Sequence, residues 1–136
     1  RSRKNMRRPR PRRNRERILQ AAVIKAVNLT EHFRAIEVDQ NPVPGGGYQA
    51  MTGHPDLEII GKFEHRQFYI ELKTDKGKLS PKQIEWHERA ISYGAAVFVC
   101  RSVLEALRVC KLMNELFHWP EDKRLTALLS QLQKGA

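Results

Sequence analysis

GHPDLEIIGKFEHRQFYIELKTDKGKLSPKQ, residues 53–83, holds two strand patterns and the opening of a helix. Phe68-Tyr69-Ile70-Glu71-Leu72-Lys73 alternates with period two. Phe68, Ile70 and Leu72 therefore point to one face, and Tyr69, Glu71 and Lys73 to the other. Asp56 to Ile60 reads as a neighbouring strand, bounded by Pro55 and Gly61. If these strands pair through the short connection from Gly61 to Arg66, Asp56 lies across from Glu71. Two carboxylates and the Lys73 ammonium then share one spot, the minimum set for holding a divalent cation and positioning a water.

Working outward, Ser80 is placed to cap a helix from Pro81 to Tyr93, with Gln83 completing a capping box and Gly94 as the stop. Ala95 to Cys100 is an uninterrupted apolar run of strand length and reads as a buried central strand. Ser102 caps a further helix with Val103, Leu107, Cys110, Met113 and Phe117 on one face and Leu104, Leu112 and Leu116 beside them. A last helix runs from about Asp122 to Gln133, its leucines 125, 128, 129 and 132 read as core before dimer contact. Upstream, residues 14–33 read as a helix capped by Asn14, with Ile18, Ala22, Leu29 and Phe33 as its stripe. Arg34 to Asp39 reads as a first strand and residues 40–52 as a loop. Gly45-Gly46-Gly47 lacks the Lys-Ser/Thr and strand-to-helix context of a phosphate cradle, so no nucleotide cofactor is expected; Tyr48 and Met51 would anchor the loop or stack on a base. The element order predicts an α/β sandwich with a central mixed sheet flanked by helices.

The chain has 136 residues, the length of one domain. Its net charge of +10 is uneven: residues 1–17 hold ten Lys or Arg and one acid, leaving fifteen bases against fourteen acids in the rest. Residues 1–13 are expected to be a disordered basic arm and 14–136 the folded domain, because an Arg- and Pro-rich segment repels itself and buries no apolar surface. Such an arm suits a polyanion. Cys100 and Cys110 show no metal spacing and read as buried thiols of a reducing compartment. No run of about eighteen apolar residues is present. With no apolar signal segment in the arm either, an intracellular setting without membrane attachment is expected. His54, His65, His87 and His118 lack ligand spacing and read as surface residues.

Gly53-x-Pro55-Asp56, Glu71-x-Lys73 and Gly77-x-x-Ser80-Pro81-x-Gln83 together resemble the PD-(D/E)XK nuclease superfamily, and within it the VRR-NUC (virus-type replication-repair nuclease) group. Glu16-x-x-x-Gln20 is similar to that group's N-terminal glutamate element, and Gly94 with its apolar strand to its closing strand. The resemblance spans about residues 16–105. It implies a restriction-endonuclease-like fold, a metal-dependent endonuclease activity on DNA, and a viral or mobile-element setting in replication and repair. It also implies site roles: Asp56, Glu71, the Leu72 backbone carbonyl and, as a further candidate, Glu16 for Mg²⁺ or Mn²⁺, with Lys73 and Gln83 completing the catalytic set.

The chemistry is consistent with those residue types. A divalent cation on carboxylates acidifies water and neutralises phosphoryl charge, and Mg²⁺ needs only one or two carboxylates because it keeps several waters. Lys73 as a base would need a pKa well below about 10.4, and adjacent carboxylates push the other way, so electrostatic stabilisation stays open as its role. Each residue also has a plain structural reading: a first-turn acid favoured by the helix dipole for Glu16, a cap for Gln83, a strand ion pair for Glu71 and Lys73. Arg7, Arg8, Arg10, Arg12, Arg13, Arg15, Lys78 and Lys82 are the expected phosphate contacts. The short stand-alone members that the chain resembles point to branched DNA, a four-way junction first, and so to a homodimer with matching two-fold symmetry. The alternatives are a non-catalytic nucleic-acid-binding module on a nuclease fold, or a nuclease for other DNA or RNA structures.

Overall fold

Alternation of apolar and polar residues in the middle of the chain gives a sheet with one dry face. The computed structural model describes residues 12–38 and 53–135. In these the elements run α1 (Arg12–Asn28), β1 (Phe33–Glu37), β2 (Leu57–Gly61), β3 (Gln67–Leu72), α2 (Pro81–Ser92), β4 (Val97–Cys100), α3 (Val103–Leu116) and α4 (Lys123–Lys134). The strands lie in the order β1-β2-β3-β4, with β2 antiparallel to both neighbours and β4 parallel to β3. This is the α/β sandwich with a mixed sheet that the sequence predicts. The register sets Ala35, Ile59 and Phe68 in one row and Leu57, Ile70 and Phe98 in the next. These rows join Val23 and Val27 of α1, Leu107 and Cys110 of α3, and Leu125 and Leu129 of α4 in a single core. Full burial of side chains of this size contributes about 1.5–3 kcal/mol each. Helix α2 covers part of the opposite face, its Trp86 ring 5.4 Å from Tyr69 of β3.

Three local expectations are corrected. Helix α1 already runs at Arg12, so Asn14 is not its cap, and two residues of the expected arm are helical. Its inward stripe is the buried Val23 and Val27 with the partly buried Leu19 and Ala26, while Ile18 and Leu29 are exposed. The stripe was phased on Phe33, which is not helical: the Thr30 hydroxyl donates to the Val27 carbonyl (2.7 Å) and accepts from the Phe33 amide (3.1 Å), ending the helix and starting β1. Strand β4 lies at an edge of the sheet and β3 is interior. An unbroken apolar run reports helices over both strand faces, here α2 and α3, and not the number of strand neighbours.

The caps fall where the sequence puts them. The Ser80 hydroxyl accepts from the Gln83 amide at 3.2 Å, and the Ser102 hydroxyl accepts from the Glu105 amide at 3.1 Å. Gly94 ends α2 with a φ of +89°, a conformation that glycine adopts without strain. Cys100 and Cys110 are free and buried; desolvation is the main cause that pushes Cys100 up to about 12 and Cys110 higher still. The residues of the expected loop, with Gly45–Gly47, Tyr48 and Met51, lie outside the described residues, as do Arg7, Arg8 and Arg10 of the arm.

Asp122 closes the helical layer. Its carboxylate accepts from its own helix at the Leu125 amide (3.0 Å) and from the Glu31 and His32 amides (3.1 and 2.8 Å) at the turn between α1 and β1. His32 Nδ1 lies 2.7 Å from Asn114 Oδ1, and the Asn114 amide donates to the Pro120 carbonyl at 3.0 Å. Asp122 is 2% exposed, so its removal leaves buried amides without acceptors. Asp122→Ala is expected to lower the unfolding free energy by about 3 kcal/mol, and Asp122→Asn by less. A urea titration giving less than about 1 kcal/mol for the alanine variant would refute this account of the latch.

Candidate active site

Beyond the Leu57–Ile70 pair, the antiparallel register of β2 and β3 leads on to Asp56 facing Glu71. Asp56 precedes β2, and its side chain is tied across the sheet: Oδ2 accepts from the Leu72 amide at 2.8 Å. Its own carbonyl accepts from the Val38 amide at 3.0 Å, so three strands fix its position. Gly53 explains how the approach to Asp56 is seated. With a φ of +84° it lies against the start of α2, where a Cβ would sit 2.3 Å from the Lys82 carbonyl oxygen. Only glycine fits both constraints.

Glu71 is 1% exposed, although it points to the sheet face opposite the core, because α2 lies over it. Burial chiefly, then hydrogen bonding with Asp56 and the charges of Asp56 and Glu16, push its carboxyl up to about 10, with the Lys73 charge pulling it down. Among the described residues Glu71 Oε1 has no hydrogen-bond partner. Asp56, Glu71, Lys73 and Glu16 therefore act on one another in one place. Gln83 stands half-buried at the start of α2 and spends its carbonyl oxygen on the Ser80 amide (2.8 Å), leaving its NH₂ end for another partner.

The phosphate-contact candidates are less gathered. Lys78 and Lys82 are exposed on the polar turn and at the start of α2. Arg15 forms an ion pair with Asp75 at 3.1 Å, and Arg101 donates to the Asp75 carbonyl at 2.9 Å, so two arginines hold the turn that follows β3. The side chains of Arg12 and Arg13 are outside the described ones.

Two histidines read as surface residues are buried beside the site. His54 and His87 are 8% and 7% exposed. His54 packs against Tyr69 and Trp86, with ring centroids 5.4 and 4.5 Å away, and its Nδ1 lies 2.8 Å from the Pro55 carbonyl. His87 Nε2 faces Glu71 Oε1 at 3.7 Å. Burial, then the charges of Lys73 and His54, lower the His87 pKa, so its ring is neutral at neutral pH. The sequence held a signal for this: His87 follows Gln83 by four residues and shares its helix face. His65 and His118 are exposed, as expected.

Residues 48–104 match the model of the VRR-NUC domain family. Over that span the chain is similar to a nuclease-type domain, and Asp56, Glu71, Lys73 and Gln83 all fall within it, whereas Glu16 falls outside it. A solved structure described as a VRR_NUC domain superposes with a TM-score of 0.50 at 21% identity, covering 75% of this chain and 97% of the other; that likeness establishes the fold. No curated protein matches the chain. No helix among the described residues is long and apolar enough to cross a membrane.

The donor set of this site suits a hard divalent cation. It offers carboxylate oxygens, one of them buried without a hydrogen-bond partner among the described residues, and a proton affinity raised by burial and then by neighbouring acids, whose repulsion a cation would relieve. Among the described residues no group of three or more His, Cys, Asp and Glu side chains is already gathered as a metal cage, so water and phosphate would supply the remaining ligands.

The pH dependence of the metal-free protein follows. Unfolded Glu71 ionises near the ordinary carboxyl value of 4.5, whereas burial and its acidic neighbours let the folded residue keep its proton up to about 10. Between these values the folded state binds more protons, so Glu71 erodes stability as pH rises. Glu71→Gln removes that slope. In chelator the variant should equal wild type near pH 4 and exceed it by about 4 kcal/mol near pH 7.5, read from urea titrations at each pH. A difference that does not grow with pH would show that Glu71 is not held protonated.

Proposed function

We propose that this domain is a metal-dependent DNA endonuclease that cuts branched DNA, a four-way junction first, as a homodimer. The observation that carries the reading is the buried Glu71 oxygen without a hydrogen-bond partner, set beside Asp56 in a site whose acids repel one another. A sheet face built only for stability would replace such a pair with apolar residues at no loss. Asp56, Glu71 and the Leu72 carbonyl would hold Mg²⁺ or Mn²⁺, with Glu16 as a further oxygen donor. Bound there, the cation would acidify a water and neutralise phosphoryl charge.

The chain's own residues do the rest. The Leu72 amide fixes the Asp56 carboxylate, so this donor keeps its orientation as the substrate arrives. Lys73 places an ammonium next to both acids and stabilises negative charge developing on the phosphate. The NH₂ end of Gln83 orients Lys73 or the attacking water, while its carbonyl oxygen stays on the helix cap. Lys78 and Lys82, exposed beside the site, and the arginines of the N-terminal segment grip backbone phosphates by charge, without reading bases. A two-fold junction needs two symmetric cuts, which a two-fold dimer delivers.

The decisive assay compares a labelled immobile four-way junction with a linear duplex of the same sequence, in Mg²⁺, in Mn²⁺ and in chelator. Paired symmetric nicks on the junction, lost in chelator, are the expected result. Asp56→Asn and Lys73→Ala should each lower cleavage by at least about two orders of magnitude while junction binding in a gel shift is retained. Junction binding with no cut under either metal would replace this reading with a binding module, and equal cutting of both DNAs would remove the junction preference.

A further inference from the structure

We propose that His87 is the positioning residue of the site: its Nε2–H orients the Glu71 carboxylate, so that Glu71 meets the cation in one conformation. This rests on the metal-nuclease reading above.

Two buried polar atoms face each other here, each without a hydrogen-bond partner: His87 Nε2 and Glu71 Oε1, 3.7 Å apart. Buried polar atoms left unmet are costly, and a small rotation of either side chain joins them. Glu71 has nothing else to hold that oxygen, since its hydrogen bond runs to Asp56. His87 is also held firmly. It projects from α2, whose start is locked by the Ser80–Gln83 capping box and by Gly53 packed on Lys82. The adjacent Trp86 anchors the same turn between His54 and Tyr69. A neutral imidazole with its proton on Nε2 donates one hydrogen bond and adds no charge to a site that already holds Lys73. Carboxylates that ligate metals depend on such outer hydrogen bonds, and removing one typically costs about 10–100-fold in metal affinity or activity.

The test uses His87→Gln, whose side-chain amide can donate to the same oxygen, and His87→Met, of similar bulk with no donor. Mn²⁺ binding to each purified protein is followed by electron paramagnetic resonance of the free ion, with no DNA present, and folding by thermal melts in chelator. Wild type and the glutamine variant should bind Mn²⁺ alike, and the methionine variant about tenfold or more weaker. Equal binding by the methionine variant would overturn the proposal. So would a glutamine variant as weak as methionine, which points to the ring as a direct ligand or a packing element.

Should the methionine variant not fold, ¹⁵N spectra of the wild-type ring decide: Nε2 carrying its proton, with and without Mg²⁺, supports the proposal, and an unprotonated Nε2 overturns it. Wild type that takes up no Mn²⁺ would sink the metal reading and this inference together. Wild-type uptake with an unaffected methionine variant sinks the inference alone.

Discussion

The structure turns on keeping a carboxylate, Glu71, out of water beside another carboxylate, Asp56. Every element around it contributes to that placement. Strand β3 aims the side chain away from the core, β2 brings Asp56 across from it, and α2 covers the result. A group whose proton affinity is raised this far costs the fold stability above the ordinary carboxylate range. The remainder of the molecule, a core of aliphatic and aromatic side chains behind the sheet, supplies the stability that this site withholds.

Much of this was legible because strand alternation and helix caps are short-range signals. Phe68, Ile70 and Leu72 against Tyr69, Glu71 and Lys73 fixed the faces of β3, and Ser80, Pro81 and Gln83 fixed the start of α2 to the residue. The pairing of Asp56 with Glu71 followed from a connection too short to allow anything but a hairpin. What escaped was tertiary. The phase of the α1 stripe depends on where Thr30 ends the helix, and a hydroxyl bonding to Val27 and Phe33 leaves no periodic trace. The edge position of β4 depends on which strands meet. His54 and His87 are buried rather than at the surface because α2 docks over the second sheet face; the spacing of Gln83 and His87 sets them on one helix face but does not announce that docking.

Gln83 shows how two readings of one residue can both describe its surroundings. Its carbonyl oxygen completes the capping box, and the same geometry carries the helix face that holds His87 toward Glu71. Cap and site share an element because the turn that carries Trp86 and His87 to Tyr69 and Glu71 of β3 follows directly on the capped first turn of α2.

The span that matches the VRR-NUC family, residues 48–104, contains the paired acids but neither α1 nor α4. The dry face of its sheet is closed by Val23 and Val27 from one side of that span and Leu125 and Leu129 from the other, with Asp122 joining the two flanks through the turn before β1. The matched stretch is thus not a portable module. Excised or grafted alone, it would present Leu57, Ile59, Phe68 and Ile70 to solvent as a sticky sheet and would self-associate before it could fold.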